Sequence, residues 1–75
     1  MSYSLEELYK KKIKKVASNI KKARTDNGYT QAQMESFGFD LRNYQRLESG
    51  EHSPSLFTLF KLSKAFNVEL SELVD

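Results

Sequence analysis

The chain holds no cysteine and a single histidine. Disulfides and thiolate metal centres are therefore excluded, and His52 alone cannot build a metal site. No apolar run approaches the roughly 20 residues that a membrane-spanning helix requires. The opening segment, Met1 to Glu7, lacks the apolar stretch of a secretory signal. A soluble, cytoplasmic protein is the expectation. Catalysis has little to work with. One histidine, no glycine-rich phosphate loop and scattered carboxylates form no catalytic set, so neither an enzyme nor a cofactor or small-molecule ligand is expected. No strand pattern, internal repeat, low-complexity tract or linker occurs, which leaves residues 1–75 as one domain.

What is present is a modest apolar content. About 39% of the residues are hydrophobic, five Phe and four Tyr among them. That is enough for one compact but marginal core, and a domain this small gains from pairing with a second copy. The net charge is only +2, but it is unevenly placed. Residues 1–24 carry eight Lys/Arg against two Glu, a balance of +6, and residues 25–75 carry four Lys/Arg against eight Asp/Glu, a balance of −4. The basic excess lies on Lys10 to Arg24. It suits either a polyanion partner or a solvated helix face.

Five helices can be read along the chain. Ser4-Leu5-Glu6-Glu7 has capping-box spacing. From Ile13, the apolar residues Val16, Ala17, Ile20 and Ala23 recur at three and four, which predicts a first helix from Leu5 to Asp26, stopped at Asn27-Gly28. Thr30 is placed to cap a second helix, Gln31 to Phe37, through the N–H of Ala32 or Gln33, and Gly38 ends it. Asp40 caps a third, Leu41 to Ser49, ended by Gly50. Pro54 suits the start of a fourth, Ser55 to Phe66, where its missing N–H costs nothing. On that helix Leu56, Leu59, Phe60, Leu62, Ser63 and Phe66 share a face. Asn67 breaks it, and a last short helix covers Ser71 to Val74. The fold class is all-α, a five-helix domain with a long N-terminal helix.

The third helix carries the chemistry. At 100° per residue, Tyr44 and Leu47 point to one side and Arg42, Gln45 and Arg46 to the other. Arg can donate two hydrogen bonds to guanine O6 and N7, and Gln can pair with adenine N6 and N7; each such pair contributes roughly 1–3 kcal/mol of base discrimination. Two arginines on a surface helix are a weak signal alone. The context strengthens it, because a capped short helix, a glycine turn and a second capped short helix make a helix-turn-helix.

Several segments resemble one family in order. Asn27-Gly28-Tyr29-Thr30-Gln31 is similar to its "G-hydrophobic-T-Q" opening, and Arg46-Leu47-Glu48-Ser49-Gly50 to its "R-I-E-x-G" close of the recognition helix. Ser53-Pro54-Ser55-Leu56 with Thr58-Leu59 resembles "N-P-S-L-x-T-L". Lys64-Ala65-Phe66-Asn67-Val68 and Leu70-Ser71-Glu72-Leu73 resemble "K-A-L-G-V" and "S-x-D-E-L". This is the phage repressor and Cro type of helix-turn-helix, the Xre family. The resemblance spans about Val16 to Val74, leaving residues 1–15 as an extension of helix one.

The resemblance implies a nucleoid-associated protein of bacterial or phage type, with double-stranded DNA as partner. It implies base contacts from Leu41, Arg42, Gln45 and Arg46; Leu41 either packs on helix two or touches a thymine methyl. Phosphate contacts fall on Gln31, Asn43, His52, Ser53, Arg24 and Lys21. Arg24 and Glu48 are expected to form a structural ion pair, which makes Glu48 a structural acid. Tyr44 is expected to pack in the core with its hydroxyl at the rim. A homodimer is implied, with Phe66, Val68, Leu70, Leu73 and Val74 at its interface, reading a pseudo-palindromic operator as a repressor.

Two departures stand out. The segment from Gln31 to Gly38 is one residue shorter than the pattern, so helix two must end early or turn irregularly, with Met34 and Phe37 supplying its packing. Residues 1–15 either lengthen helix one or add a dimer contact or a phosphate-binding arm. A different class of function is a protein-interaction module on the same fold, such as an antitoxin or anti-repressor.

Overall fold

The computed structural model describes residues 3–75. The helix α1 runs over Leu5–Asp26. A 3-10 helix follows at Ala32–Phe37, then α2 over Leu41–Ser49, α3 over Leu56–Phe66 and α4 over Leu70–Val74. The fold is all-α, and α1 is the spine against which α2 and α4 pack most extensively. The stripe of Val16, Ala17 and Ile20 on α1 meets Met34, Tyr44, Leu47, Leu59, Leu62, Phe66 and Leu73 in one core. The first turns of α1 extend past that core. A 22-residue helix is about 33 Å long, and it sets the 43 Å long axis of the molecule.

The second helix differs from expectation in kind. Ala32–Phe37 is 3-10 rather than α, and it starts one residue after Gln31. The missing residue explains this: at about 2.0 Å per residue a 3-10 segment covers more distance than an α-helix of equal length, about 1.5 Å per residue. Its start is held by a reciprocal cap. The Gln33 N–H donates to Thr30 Oγ1 at 3.2 Å, and the Thr30 N–H donates to Gln33 Oε1 at 2.7 Å. Met34 is buried, and Phe37 packs on the Tyr29 ring with centroids 5.4 Å apart.

Other boundaries move slightly. Ser55, not Pro54, opens α3: its hydroxyl accepts from the Thr58 N–H at 3.0 Å, and Pro54 lies outside the helix. Only part of the expected face of α3 is buried. Leu59, Leu62, Ser63 and Phe66 face the core, whereas Leu56 is 70% and Phe60 49% exposed, with Phe57 beside them at 73%. The helix α4 begins at Leu70, one residue before the expected Ser71, because Glu69 and Glu72 form a capping box in which the Glu69 N–H donates to Glu72 at 2.9 Å. At Ser4 only half of the expected box forms. The Glu7 N–H donates to the Ser4 hydroxyl, which donates in turn to the Glu7 carboxylate, each at 3.1 Å.

Two asparagines lock the helices together. Asn19 donates to the carbonyls of Leu73 and Asp75, both at 3.1 Å, and so fastens the end of α4 to α1. Asn27 donates to the Phe66 carbonyl at 3.1 Å and ties the end of α1 to the end of α3. These bonds commit the C-terminal segment to the protomer's own core. Phe66 is 2% and Leu73 0% exposed, both packed in the protomer's own core; Val68, Leu70 and Val74 are half-buried. No helix among the described residues is long and apolar enough to cross a membrane.

Candidate nucleic-acid interface

The turn between the 3-10 helix and α2 is fixed at several points. Gly38 sits at φ 90°, a left-handed conformation that L side chains seldom adopt, and a Cβ there would come 3.0 Å from the Lys61 ammonium. That ammonium donates to the Gly38 carbonyl at 3.0 Å and lies 4.3 Å over the Phe39 ring. Phe39 in turn meets Tyr44 edge-on at 5.6 Å. Asp40 caps α2 by accepting from the Asn43 N–H at 3.1 Å. At the other end Gly50, also left-handed, lets the Glu51 N–H donate to the Arg46 carbonyl at 3.1 Å.

Between these ends, α2 is amphipathic as its spacing requires. Tyr44 and Leu47 are buried; Arg42, Asn43 and Gln45 are exposed; Leu41 and Arg46 are half-buried. The outward face therefore presents a guanidinium, two amides and part of a second guanidinium. Those are the donors and acceptors that match base edges.

Behind this face runs a chain of hydrogen bonds. Arg24 grips Glu48 with two donors, Nε to Oε2 at 2.6 Å and Nη2 to Oε1 at 3.0 Å, and its Nη1 donates to the Tyr29 carbonyl at 2.7 Å. Gln31 donates to Glu48 Oε1 at 3.1 Å, and Gln45 donates to Gln31 Oε1 at 3.3 Å. A buried ion pair is thus linked through Gln31 to the exposed Gln45. The Arg24 and Glu48 side chains are 10% and 3% exposed. Burial pushes the Glu48 carboxyl up, but hydrogen bonds from Arg24 and Gln31, with the nearby Tyr44 hydroxyl, outweigh it and hold the group below its ordinary value. The Glu48 hydrogen bond likewise raises Arg24.

Arg24 forms the expected ion pair, and the same bonds take most of its guanidinium away from solvent and orient Glu48. One sequence-based reading changes here. The Tyr44 hydroxyl is not at a rim. It is buried beside the Arg24–Glu48 pair with no hydrogen-bond partner, and burial together with the Glu48 carboxylate pushes its pKa far above the ordinary value.

The remaining candidates keep accessible surface. Gln31 is half-buried, and Asn43, His52, Ser53 and Lys21 are exposed. Ser53 shares a hydrogen bond with the Tyr9 hydroxyl, a contact from the N-terminal extension that sequence spacing did not suggest. Lys61 and Gln33 were also missed, the first as a clamp on the turn and the second as half of a cap. The Thr30-x-x-Gln33 spacing carried a signal for the cap.

The comparisons with known proteins agree with this geometry. A helix-turn-helix family model matches residues 20–73. The chain is 37% identical over 62 residues to the uncharacterized HTH-type transcriptional regulator y4dJ of Sinorhizobium fredii, covering 81% of this chain and 80% of that one. It is 38% identical over 63 residues, 83% of its length, to the cryptic phage CTXphi transcriptional repressor RstR of Vibrio cholerae. It is 39% identical over 56 residues, 73% of its length, to the SPbeta prophage-derived uncharacterized HTH-type transcriptional regulator YonR of Bacillus subtilis. The matched segments span 54% of RstR and 52% of YonR, so the chain corresponds to about half of each. No solved structure matches the chain significantly. The chain belongs to the Xre-type helix-turn-helix family of transcriptional regulators.

Proposed function

We propose that the protein binds double-stranded DNA sequence-specifically, as a homodimer on a pseudo-palindromic operator, and represses transcription there. One observation carries this reading. The Arg42 and Gln45 side chains stand in solvent above the buried Tyr44 and Leu47, and Gln45 is tied to Gln31 and so to the Arg24–Glu48 pair. Pre-positioned donors lose less freedom on binding than mobile ones.

In this reading α2 lies in the major groove. Arg42, Gln45 and Arg46 meet base edges, and Leu41 offers an apolar contact to a thymine methyl. Gln31, Asn43, His52, Ser53 and Lys21 fix register on the phosphates. Two copies with recognition helices about 34–36 Å apart read successive major grooves. Val68, Leu70 and Val74 are the surface proposed for the partner protomer. Gel retention of duplex DNA tests the reading: Arg42→Ala with Arg46→Ala abolishes retention if these groups read bases.

A second reading, a protein-interaction module, draws on the exposed Leu56, Phe57 and Phe60 of α3. It predicts that the same double substitution changes nothing on the gel, while Phe57→Ser abolishes capture of a partner protein.

A further inference from the structure

The N-terminal extension, residues 1–15, lies outside the family match, which begins at residue 20. Yet residues 5–15 are the first turns of α1, which run to the C-terminal end of α2. A Cβ added at Gly50 would lie 3.4 Å from Lys14 Cγ and 3.9 Å from the Ala17 Cβ, so the stem of Lys14 runs against the glycine that ends the recognition helix. Five residues earlier, Tyr9 reaches Ser53 in the loop that follows. Further along, Arg24 pairs with Glu48 on the same side.

The Lys14 and Arg24 contacts lie on one edge of α1, with Tyr9 flanking it. At 100° per residue, Lys10, Lys14, Ala17, Lys21 and Arg24 fall within an arc of about 80°. The lysines of that arc are exposed, and no carboxylate among the described residues pairs with them. Lys11, Lys15 and Lys22 lie roughly 120° further round the helix. Two of these already have partners, Lys11 over the Tyr3 ring at 4.0 Å and Lys22 with Asp26 at 2.8 Å. Lys12 points further round still, at about 200° from Lys10, so of the basic run only the Lys10–Lys14–Lys21 edge borders α2. The single opposing charge in the adjoining loop, Glu51, is held by the Ser49 hydroxyl at 2.8 Å.

We propose that the Lys10–Lys14–Lys21 edge of α1 is a second phosphate-binding surface that grips the DNA backbone beside the groove entered by α2. This rests on the DNA-binding reading above. With the N-terminal residues of α2 on the base edges, its other end at Gly50 lies toward the backbone that flanks the groove. Lys14 is built against that end, and Lys10 and Lys21 extend the same row in both directions. The partner is a backbone polyanion, recognised without regard to base sequence.

The test is a salt titration of binding by the full chain, on a duplex selected by the wild type and on a scrambled duplex. Each phosphate contact contributes about 0.9 to the slope of log K against log salt. K10Q with K14Q is expected to flatten the slope by about 2 on both duplexes and to leave the selected sequence unchanged. K11Q with K15Q removes the same charge from the other face and is expected to change the slope by less than about 0.5. Equal effects of the two pairs, or no change with the first, overturn the proposal. If the wild type retains neither duplex at any salt, the DNA-binding reading itself fails and takes the proposal with it.

Discussion

The Gln45 amide donates to the side-chain carbonyl of Gln31 at 3.3 Å, so a residue proposed to read a base is braced by one proposed to hold a phosphate. Gln31 is braced in turn by Glu48 at 3.1 Å. The two glutamines should therefore act as a unit. Gln31→Ala and Gln45→Ala are each expected to weaken operator binding, and the double variant to lose less than the sum. A double-mutant cycle on binding should return a coupling of about 0.5–1.5 kcal/mol. Strict additivity would mean that the contact does not position Gln45.

The Arg24–Glu48 pair should be more important intact than valuable as a pair. Removing one partner leaves a buried charge, at a cost of about 3–5 kcal/mol, while replacing both with apolar residues is close to neutral. Denaturant unfolding of Glu48→Leu, Arg24→Met and the double variant checks this. The pH dependence has a definite sign. The folded Glu48 carboxyl lies below its ordinary value of 4.5, so its contribution is complete above the unfolded value and is lost as pH falls through the lowered one. Glu48→Gln should flatten the stability profile in that acid range and leave its shape near neutrality unchanged.

Tyr44 presents an opposite case. Its hydroxyl is buried without a hydrogen-bond partner, and such a group costs about 1–3 kcal/mol of desolvation. Tyr44→Phe keeps the ring contact with Phe39 and removes that cost. The variant is expected to be as stable as the wild type or more stable, by up to about 1 kcal/mol in urea unfolding. A loss above about 1 kcal/mol would show that the hydroxyl bonds to Glu48 after all.

The C-terminal residues should separate into two kinds. Leu73 is fully buried, so Leu73→Ala should cost about 2–5 kcal/mol of stability. Val74 keeps part of its surface, so Val74→Asp should alter stability little while lowering self-association. Sedimentation equilibrium and thermal unfolding, run on both variants, distinguish the two roles. Unchanged self-association in Val74→Asp would remove this segment from the dimer proposal.

Much of this was legible in the sequence because it rests on local rules. Spacing of three and four placed α1 and the buried pair Tyr44 and Leu47, and the caps Ser4, Asp40 and the glycine stops fixed most ends. What escaped were relations between distant segments. Nothing in the order of residues shows that Asn19 fastens Leu73 or that Tyr9 meets Ser53. That Phe66 and Leu73 are buried within the protomer itself was hidden for the same reason. Periodicity marks an apolar residue for burial but does not say whether its own core or another protomer provides it. The 3-10 helix was visible only as a missing residue, since a shortened segment can end early, bulge or overwind.

The most direct test is selection of bound fragments from random duplex DNA, with the wild type and with Arg42→Ala in parallel. The account predicts a palindromic consensus for the wild type, with half-site centres one helical turn apart. It also predicts relaxed preference at one symmetric pair of positions, and no others, for the variant. A wild-type pool without consensus, or an identical consensus from Arg42→Ala, would contradict the claim that α2 reads bases with that face.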